Sequence, residues 1–255
     1  MAEENKPAWV DLSSTDPAAS HEFYSKLFGW RIDVNPDPKY GGYALAYQGD
    51  AGVGGIGPKQ PGDPSPSVWS IYIGTTDADE TAKKVTAAGG KVVAPPFDVP
   101  GQGRMTVFQD PSGAFISAWQ GQAMSGFTAG GEHQFGWAEL NARGIDKAVA
   151  FYRSVFGWDA KKSDAAGADA PPYTEFQLGG ESLAGAMEMA PMIPKEVPSY
   201  WMPYFNVADV DASFKKATGA GAREMVAPQD FPGGRFAIVA DPQGAVFGLL
   251  KALPR

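Results

Sequence analysis

An internal repeat constrains this chain of 255 residues more than any other feature of its sequence. Residues 8–30, AWVDLSSTDPAASHEFYSKLFGW, recur at 136–158 as GWAELNARGIDKAVAFYRSVFGW. The later segments also match, and the offset between the copies drifts only from 128 residues at Trp9 and Trp137 to 132 at Trp69 and Trp201. Spacing this constant indicates a duplicated unit in which a few loops have changed length.

The repeat predicts two domains, which we place at residues 1–122 and 133–255. The segment between them, 123–132, lies in a stretch rich in Gly, Ser and Ala, which is the composition of a flexible linker. A length of 255 residues is compatible with two domains of this size.

Each copy shows the pattern strand, helix and three strands, twice over. The first module is predicted to open with a strand over 8–13 and a helix over 16–28, because Asp16 can cap a helix and Pro17 suits its first position. Gly and Pro number 32 and 22, as many short strands joined by turns require. The predicted fold class is α+β, with about sixteen strands in four modules.

Composition and charge exclude several classes of function. The net charge of −8 argues against binding to nucleic acid or to an anionic membrane. The chain has no Cys and two His, so thiolate zinc sites and sites with three imidazoles are excluded. There is no secretory signal pattern and no apolar run of spanning length, which predicts a soluble cytoplasmic protein.

Several motifs resemble the vicinal oxygen chelate superfamily, also called the glyoxalase/bleomycin-resistance/dioxygenase family. They are the aromatic helix ends, the Asp-Pro-x-Gly turns and the Asp-x-Asp helix starts, at Phe23–Trp30, Phe151–Trp158, Asp110–Gly113, Asp241–Gly244, Asp77/Asp79 and Asp209/Asp211. The chain looks most similar to tandem two-domain members of the glyoxalase-like or hydroxylase type. The resemblance implies that each domain curls two βαβββ modules into a half-barrel around a cavity.

The same resemblance implies where a divalent metal would be held in each half-barrel. These positions are occupied here by Trp9, Ser70 and Ser117 in the first domain and by Trp137, Met202 and Gly248 in the second. None of these six residues is a carboxylate or an imidazole, which are the ligands such metals prefer. Glu188 lies near a further ligand strand but would stand alone. We therefore expect no family-type metal and no other cofactor.

Alternation along the strands predicts what faces each cavity, because residues two apart share a face. The predicted ligand-binding residues are Trp9, Ser70, Tyr72, Phe115, Ser117, Trp137, Met202, Tyr204, Val246 and Gly248. Asp11 and Glu139 occupy equivalent positions on the same faces. The resulting surfaces are aromatic and apolar with a few polar groups, as is usual for a small-molecule pocket.

Three pairs of residues admit two interpretations each. Trp9 and Trp137 either offer a stacking face to a planar ligand or fill the half-barrel as core. Asp11 and Glu139 are either general bases whose pKa is raised by desolvation or structural carboxylates. Arg104 and Arg235 either clamp an anionic group or form ion pairs that stabilise the fold.

These observations favour a protein that binds a small apolar or aromatic molecule without the family metal. The alternative is an enzyme, either a glyoxalase-type lyase or an aromatic-substrate hydroxylase or dioxygenase, with Asp11 or Glu139 as general base. A third interpretation is a pair of filled half-barrels whose outer surface contacts other proteins. We expect no nucleic-acid or membrane partner, and either a monomer with an internal pseudo-dimer or a homodimer.

Overall fold

The computed structural model describes residues 3–163 and 172–253, which contain sixteen β-strands and four α-helices. The first copy contains β1 (Pro7–Ser14), α1 (Pro17–Phe28), β2 (Arg31–Val34), β3 (Ala44–Gln48), β4 (Ala51–Pro58), β5 (Val68–Gly74), α2 (Ala78–Ala87), β6 (Lys91–Val99), β7 (Gly103–Gln109) and β8 (Phe115–Gly121). The second contains β9 (Phe135–Ala142), α3 (Ile145–Phe156), β10 (Asp159–Lys162), β11 (Tyr173–Leu178), β12 (Glu181–Glu188), β13 (Tyr200–Asn206), α4 (Val210–Gly219), β14 (Arg223–Phe231), β15 (Gly234–Ala240) and β16 (Val246–Ala252).

The strands form two eight-stranded mixed sheets with the same topology. Their orders are β2-β3-β4-β1-β5-β8-β7-β6 and β10-β11-β12-β9-β13-β16-β15-β14. In the second sheet β9 runs parallel to β12 and β13 parallel to β16, while the outer strands pair antiparallel. The predicted α+β class and the predicted four modules are confirmed.

The first helix of each copy begins in a different way. At α1, Asp16 accepts a hydrogen bond from the Ala19 backbone N–H at 3.1 Å, as the sequence predicts. At α3 the capping position is Gly144, which has a φ of 81° and no side chain. Glu188, at the end of β12, supplies the missing acceptor and takes backbone N–H bonds from Gly144 at 2.8 Å and Ile145 at 3.0 Å. The lone carboxylate of the fourth strand is therefore a helix cap.

One strand is longer than its sequence suggests. The pattern predicts that the strand beginning at Lys91 ends at Ala94, because Pro95 and Pro96 follow, and this prediction is wrong. β6 continues to Val99, with register shifts against β7 on both sides of the prolines. β6 is an edge strand, where a missing backbone N–H costs no ladder bond and a bulge is tolerated.

The described residues pack into two compact units, each discontinuous in sequence. The first unit comprises the described parts of 1–9, 71–126 and 137–202, and so contains α2 and α3. The second unit comprises the described parts of 10–70, 127–136 and 203–255, and contains α1 and α4. Each unit is thus built from segments of both copies.

A buried Trp–Tyr–Asp triad lies in the core of the second unit. The indole N–H of Trp69 donates to the Tyr24 hydroxyl at 2.9 Å, and that hydroxyl donates to Asp241 Oδ2 at 2.9 Å. The other carboxylate oxygen of Asp241 caps its own turn by accepting from the N–H groups of Gln243 and Ala245. We call these three residues the Tyr24 triad.

The first unit holds the equivalent Tyr152 triad. Trp201 donates to the Tyr152 hydroxyl at 2.7 Å, and the hydroxyl donates to Asp110 Oδ2 at 2.9 Å. Burial is the main cause that raises the pKa of Tyr24 and of Tyr152 well above the ordinary value of tyrosine. In both triads the helix motif of one copy holds the Asp-Pro-x-Gly turn of the other, so these repeated motifs have a structural role.

Candidate functional site

A buried carboxylate, Glu139 of β9, lies among hydrogen-bond donors in the first unit. Its side chain belongs to a residue that is 8% exposed. The Tyr173 hydroxyl donates to Glu139 Oε2 at 3.1 Å and accepts from the indole N–H of Trp137 at 2.9 Å. The Asn141 amide donates to Glu139 Oε1 at 3.3 Å. We call these four residues the Glu139 cluster.

Strand alternation and one glycine create the Glu139 cluster. Trp137, Glu139 and Asn141 are spaced by two along β9, so they share a face of the sheet. Gly185 of β12 pairs in register with Glu139. A Cβ at Gly185 would lie 1.8 Å from the Tyr173 hydroxyl oxygen, so the glycine leaves the space through which that hydroxyl crosses β12.

Burial and negative charge set the proton affinity of the phenols in this region. Burial raises the pKa of Tyr173 well above its ordinary value, and the nearby charges of Glu139 and Glu175 act in the same direction. Burial and the charge of Glu139 also raise the pKa of Tyr200. Both phenols therefore hold their protons at neutral pH, and Tyr173 can act as a hydrogen-bond donor there.

The first copy repeats this arrangement in the second unit. Asp11 of β1 pairs in register with Gly55 of β4, and a Cβ at Gly55 would lie 1.8 Å from the Tyr43 hydroxyl oxygen. Sequence reasoning identified Asp11 and Glu139 but missed Tyr43 and Tyr173. The two tyrosines and the two glycines each lie 130 residues apart, so a full alignment of the repeat contains the signal.

The other predicted ligand-binding residues differ in burial. Trp9, Tyr72, Ser117, Met202, Tyr204 and Gly248 are buried, while Ser70, Trp137 and Val246 are half-buried. Phe115, at the start of β8, is 53% exposed. The structure brings Tyr72 next to Ser117 and Tyr204 next to Gly248, through the pairing of parallel strands. A Cβ at Gly248 would lie 1.9 Å from the Tyr204 ring, so that ring covers the glycine.

Both predicted anion-clamping arginines form ion pairs with acidic side chains of their own unit. Arg104 binds Asp79 through two nitrogens, at 2.7 and 3.0 Å, and binds Asp98 at 2.8 Å. Arg235 repeats the arrangement with Asp211 and Asp230. The second acid of each Asp-x-Asp motif therefore ties the start of a helix to a hairpin, which supports the ion-pair interpretation.

The residues at the family's metal positions do not fit a divalent metal. They offer two indoles, two hydroxyls, a thioether and a glycine, and none is a carboxylate or imidazole. Within the ranges 3–163 and 172–253, no three His, Asp or Glu side chains come together as a possible metal site. The Glu139 cluster supplies a single carboxylate, so the chemistry of this chain is derived below from its own side chains.

Comparison with known proteins identifies the class. A family model described as "Glyoxalase/Bleomycin resistance protein/Dioxygenase superfamily" matches residues 6–117 and 134–249. The chain belongs to this superfamily, and the resemblance inferred from its motifs is confirmed. Over the part of the chain that the structure describes, no helix is both long and apolar enough to cross a membrane.

Particular relatives extend over nearly the whole chain. A Mycobacterium tuberculosis protein named "Putative glyoxylase CFP32" is 40% identical over 98% of this chain and 95% of its own length. The Streptomyces peucetius "Anthracycline biosynthesis protein DnrV" is 36% identical over 96% and 92%. The crystal structure of a Mn(II)-bound glyoxalase from Novosphingobium aromaticivorans has the same fold, with a TM-score of 0.65 at 17% identity over 98% of this chain and 82% of that one.

Proposed function

We propose that this chain binds a small planar aromatic molecule at the Glu139 cluster, without the family metal. The observation that carries the proposal is a carboxylate buried beside an indole and a phenol on one face of the second sheet. Pockets for small molecules combine mainly apolar and aromatic walls with a few oriented polar groups. The Glu139 cluster has this composition.

The burial of its members gives the Glu139 cluster a direction. Trp137 is half-buried, whereas Glu139 is 8% exposed and Met202, on the neighbouring β13, is 1% exposed. A planar ligand can therefore stack on aromatic side chains and place a polar group toward the carboxylate. The two Streptomyces relatives are named for the biosynthesis of anthracyclines, which are polycyclic aromatic compounds, and this agrees with an aromatic ligand.

Titration of tryptophan fluorescence with naphthalene and anthraquinone derivatives tests the proposal. We expect a saturable change, with the dissociation constant raised about tenfold by Trp137→Phe, which corresponds to ~1.4 kcal/mol. Trp158→Phe is the matched control, because Trp158 is fully buried in the same unit and donates to the Asn5 carbonyl. Absence of saturable binding to the wild-type protein, checked by calorimetry, would contradict the proposal.

A second candidate function is catalysis with Glu139 as general base, and one contact favours it. The Tyr173 hydroxyl donates to Glu139 at 3.1 Å, within the range for proton transfer between a catalytic acid and base. The name of the mycobacterial relatives, "Putative glyoxylase", points toward an enzyme as well. Glu139→Gln distinguishes the two functions, since catalysis predicts lost turnover with retained affinity. Asp11→Asn is the parallel test in the first copy.

A further inference from the structure

We infer that the Glu139 cluster selects its aromatic ligand by charge, accepting ammonium-bearing and neutral hydroxyl-bearing aromatics and rejecting aromatic carboxylates. This inference rests on the proposed function and defines the class of ligand that the site takes. It follows from the composition of the cluster, in which the only ionised group is a carboxylate. The other three members, Trp137, Asn141 and Tyr173, are neutral.

The described cations of the first unit that lie nearest in sequence or contact are engaged elsewhere. Arg143 follows the end of β9, and its guanidinium donates to the backbone carbonyls of Ile193 at 3.0 Å and Pro194 at 2.8 Å. Arg104 is paired with two aspartates, and Lys6 with Glu181 at 2.7 Å. The charges that act on Tyr173 are those of Glu139 and Glu175, and both are negative.

A like charge brought to this region would be costly. Two charges about 4 Å apart interact by roughly 4 kcal/mol at an effective dielectric constant of about 20, and Glu139 is 8% exposed. An aromatic carboxylate would meet this repulsion and would find no paired cation. An ammonium group would gain the same attraction and could also contact the aromatic faces of Trp137 and Tyr173.

Hydrogen bonding favours the same class of ligand. An ionised carboxylate accepts hydrogen bonds and donates none. The Tyr173 hydroxyl gives its proton to Glu139 and accepts from Trp137, so it is oriented as a donor toward the carboxylate. A ligand that donates, through O–H or N–H, complements this arrangement, whereas a second acceptor group does not.

Calorimetry with three probes that share one ring system tests the inference. The probes are 1-naphthylmethylamine, 1-naphthalenemethanol and 1-naphthoate at neutral pH. We expect the ammonium probe to bind at least tenfold more tightly than the carboxylate probe, with the alcohol between them. Equal affinities, or a tighter carboxylate, would overturn the inference while leaving the proposed function standing. Failure of all three probes to bind would overturn both.

Variants assign the selectivity to Glu139. In Glu139→Gln the ratio between ammonium and carboxylate affinities should fall severalfold, with any residual ratio removed by adding Asp11→Asn in the first copy. Glu80→Gln is the matched control, because Glu80 lies on α2 in the same unit with its side chain 52% exposed, and it should leave the ratio unchanged. Glu139→Asp retains the charge and should retain the ranking. An unchanged ratio in a folded Glu139→Gln protein, or the same loss in Glu80→Gln, would overturn the assignment.

Discussion

The triads and the acidic clusters differ in how closely the two copies resemble each other. Both triads consist of a Trp, a Tyr and an Asp with hydrogen-bond distances that agree within 0.2 Å. The acidic clusters keep the tryptophan and the tyrosine, but Asp11 and Ser13 stand where the second copy has Glu139 and Asn141.

The physical environment accounts for this difference. A triad joins a helix of one copy to a turn of the other in a fully buried position, where a change in any partner leaves an unsatisfied polar group. An acid on the face of a sheet can change length by one methylene and still lie beside its glycine partner. The comparison teaches that the triads define the fold and that the clusters are where the copies can diverge in function.

The largest effect is expected from alkaline pH, and it distinguishes triads from cluster. Folding raises the pKa of Tyr24, Tyr152 and Tyr173, so above pH ~10 the unfolded chain loses protons that the folded chain keeps. The free energy of unfolding should therefore fall by up to about 1.4 kcal/mol per pH unit for each tyrosine. Urea unfolding of Tyr24→Phe, Tyr152→Phe and Tyr173→Phe should each show a shallower slope, and an unchanged slope would remove that tyrosine from the account.

Loss of a triad aspartate should come next. Asp110→Ala removes the partner of a buried hydroxyl together with the acceptor of two N–H groups in its turn, which should lower the free energy of unfolding by about 3 kcal/mol. Asp241→Ala should cost a similar amount, because the Tyr24 triad has the same geometry. Equilibrium denaturation measures both. Costs that differ by more than a factor of two would show that the triads are not energetically equivalent.

A methyl group at the glycine beside each acid compares the clusters directly. Gly185→Ala and Gly55→Ala both place a Cβ 1.8 Å from a tyrosine hydroxyl oxygen, and each should destabilise the protein by about 2 kcal/mol. Only Gly185→Ala should weaken ligand binding at Glu139. Gly219→Ala is the control, since nothing lies within 4 Å of its added Cβ and its backbone is helical. Calorimetry and thermal unfolding of the three variants separate the effects.

The smallest effect concerns the two ways of capping a helix. Glu188→Ala removes the remote cap of α3, and Asp16→Ala removes the local cap of α1; each should cost about 1 kcal/mol. Thermal denaturation provides the measurement. If Glu188→Ala also weakened ligand binding while Asp16→Ala did not, Glu188 would have to be reassigned from cap to ligand site.

Local patterns were sufficient to predict the modules, the sheets' composition and most helix ends. Asp16, Pro17 and Gly29 fix the limits of α1 through interactions within a few residues, which a sequence displays directly. β6 was predicted too short because the penalty for proline depends on whether a strand lies at an edge. That position is a property of the whole sheet.

Contacts between distant segments were the part that could not be predicted. Glu188 caps α3 from 44 residues away, and Tyr173 reaches Glu139 only because Gly185 lies between them in the sheet. Such contacts depend on strand register, which alternation along one strand does not determine. The candidate site was therefore half visible: the acids and Trp137 could be read from the repeat, and the tyrosines needed the structure.

The two triads also impose an order on synthesis of the chain. Tyr152 and Asp110 are 42 residues apart, and Trp201 completes their triad when four-fifths of the chain has been made. Tyr24 is synthesised early but waits for Asp241, 217 residues later, which at about 5–20 residues per second takes roughly 10–40 s. During that interval the aromatic residues around Tyr24 lack their final partners, so nascent chains depend on protection from aggregation mainly at their N-terminal end.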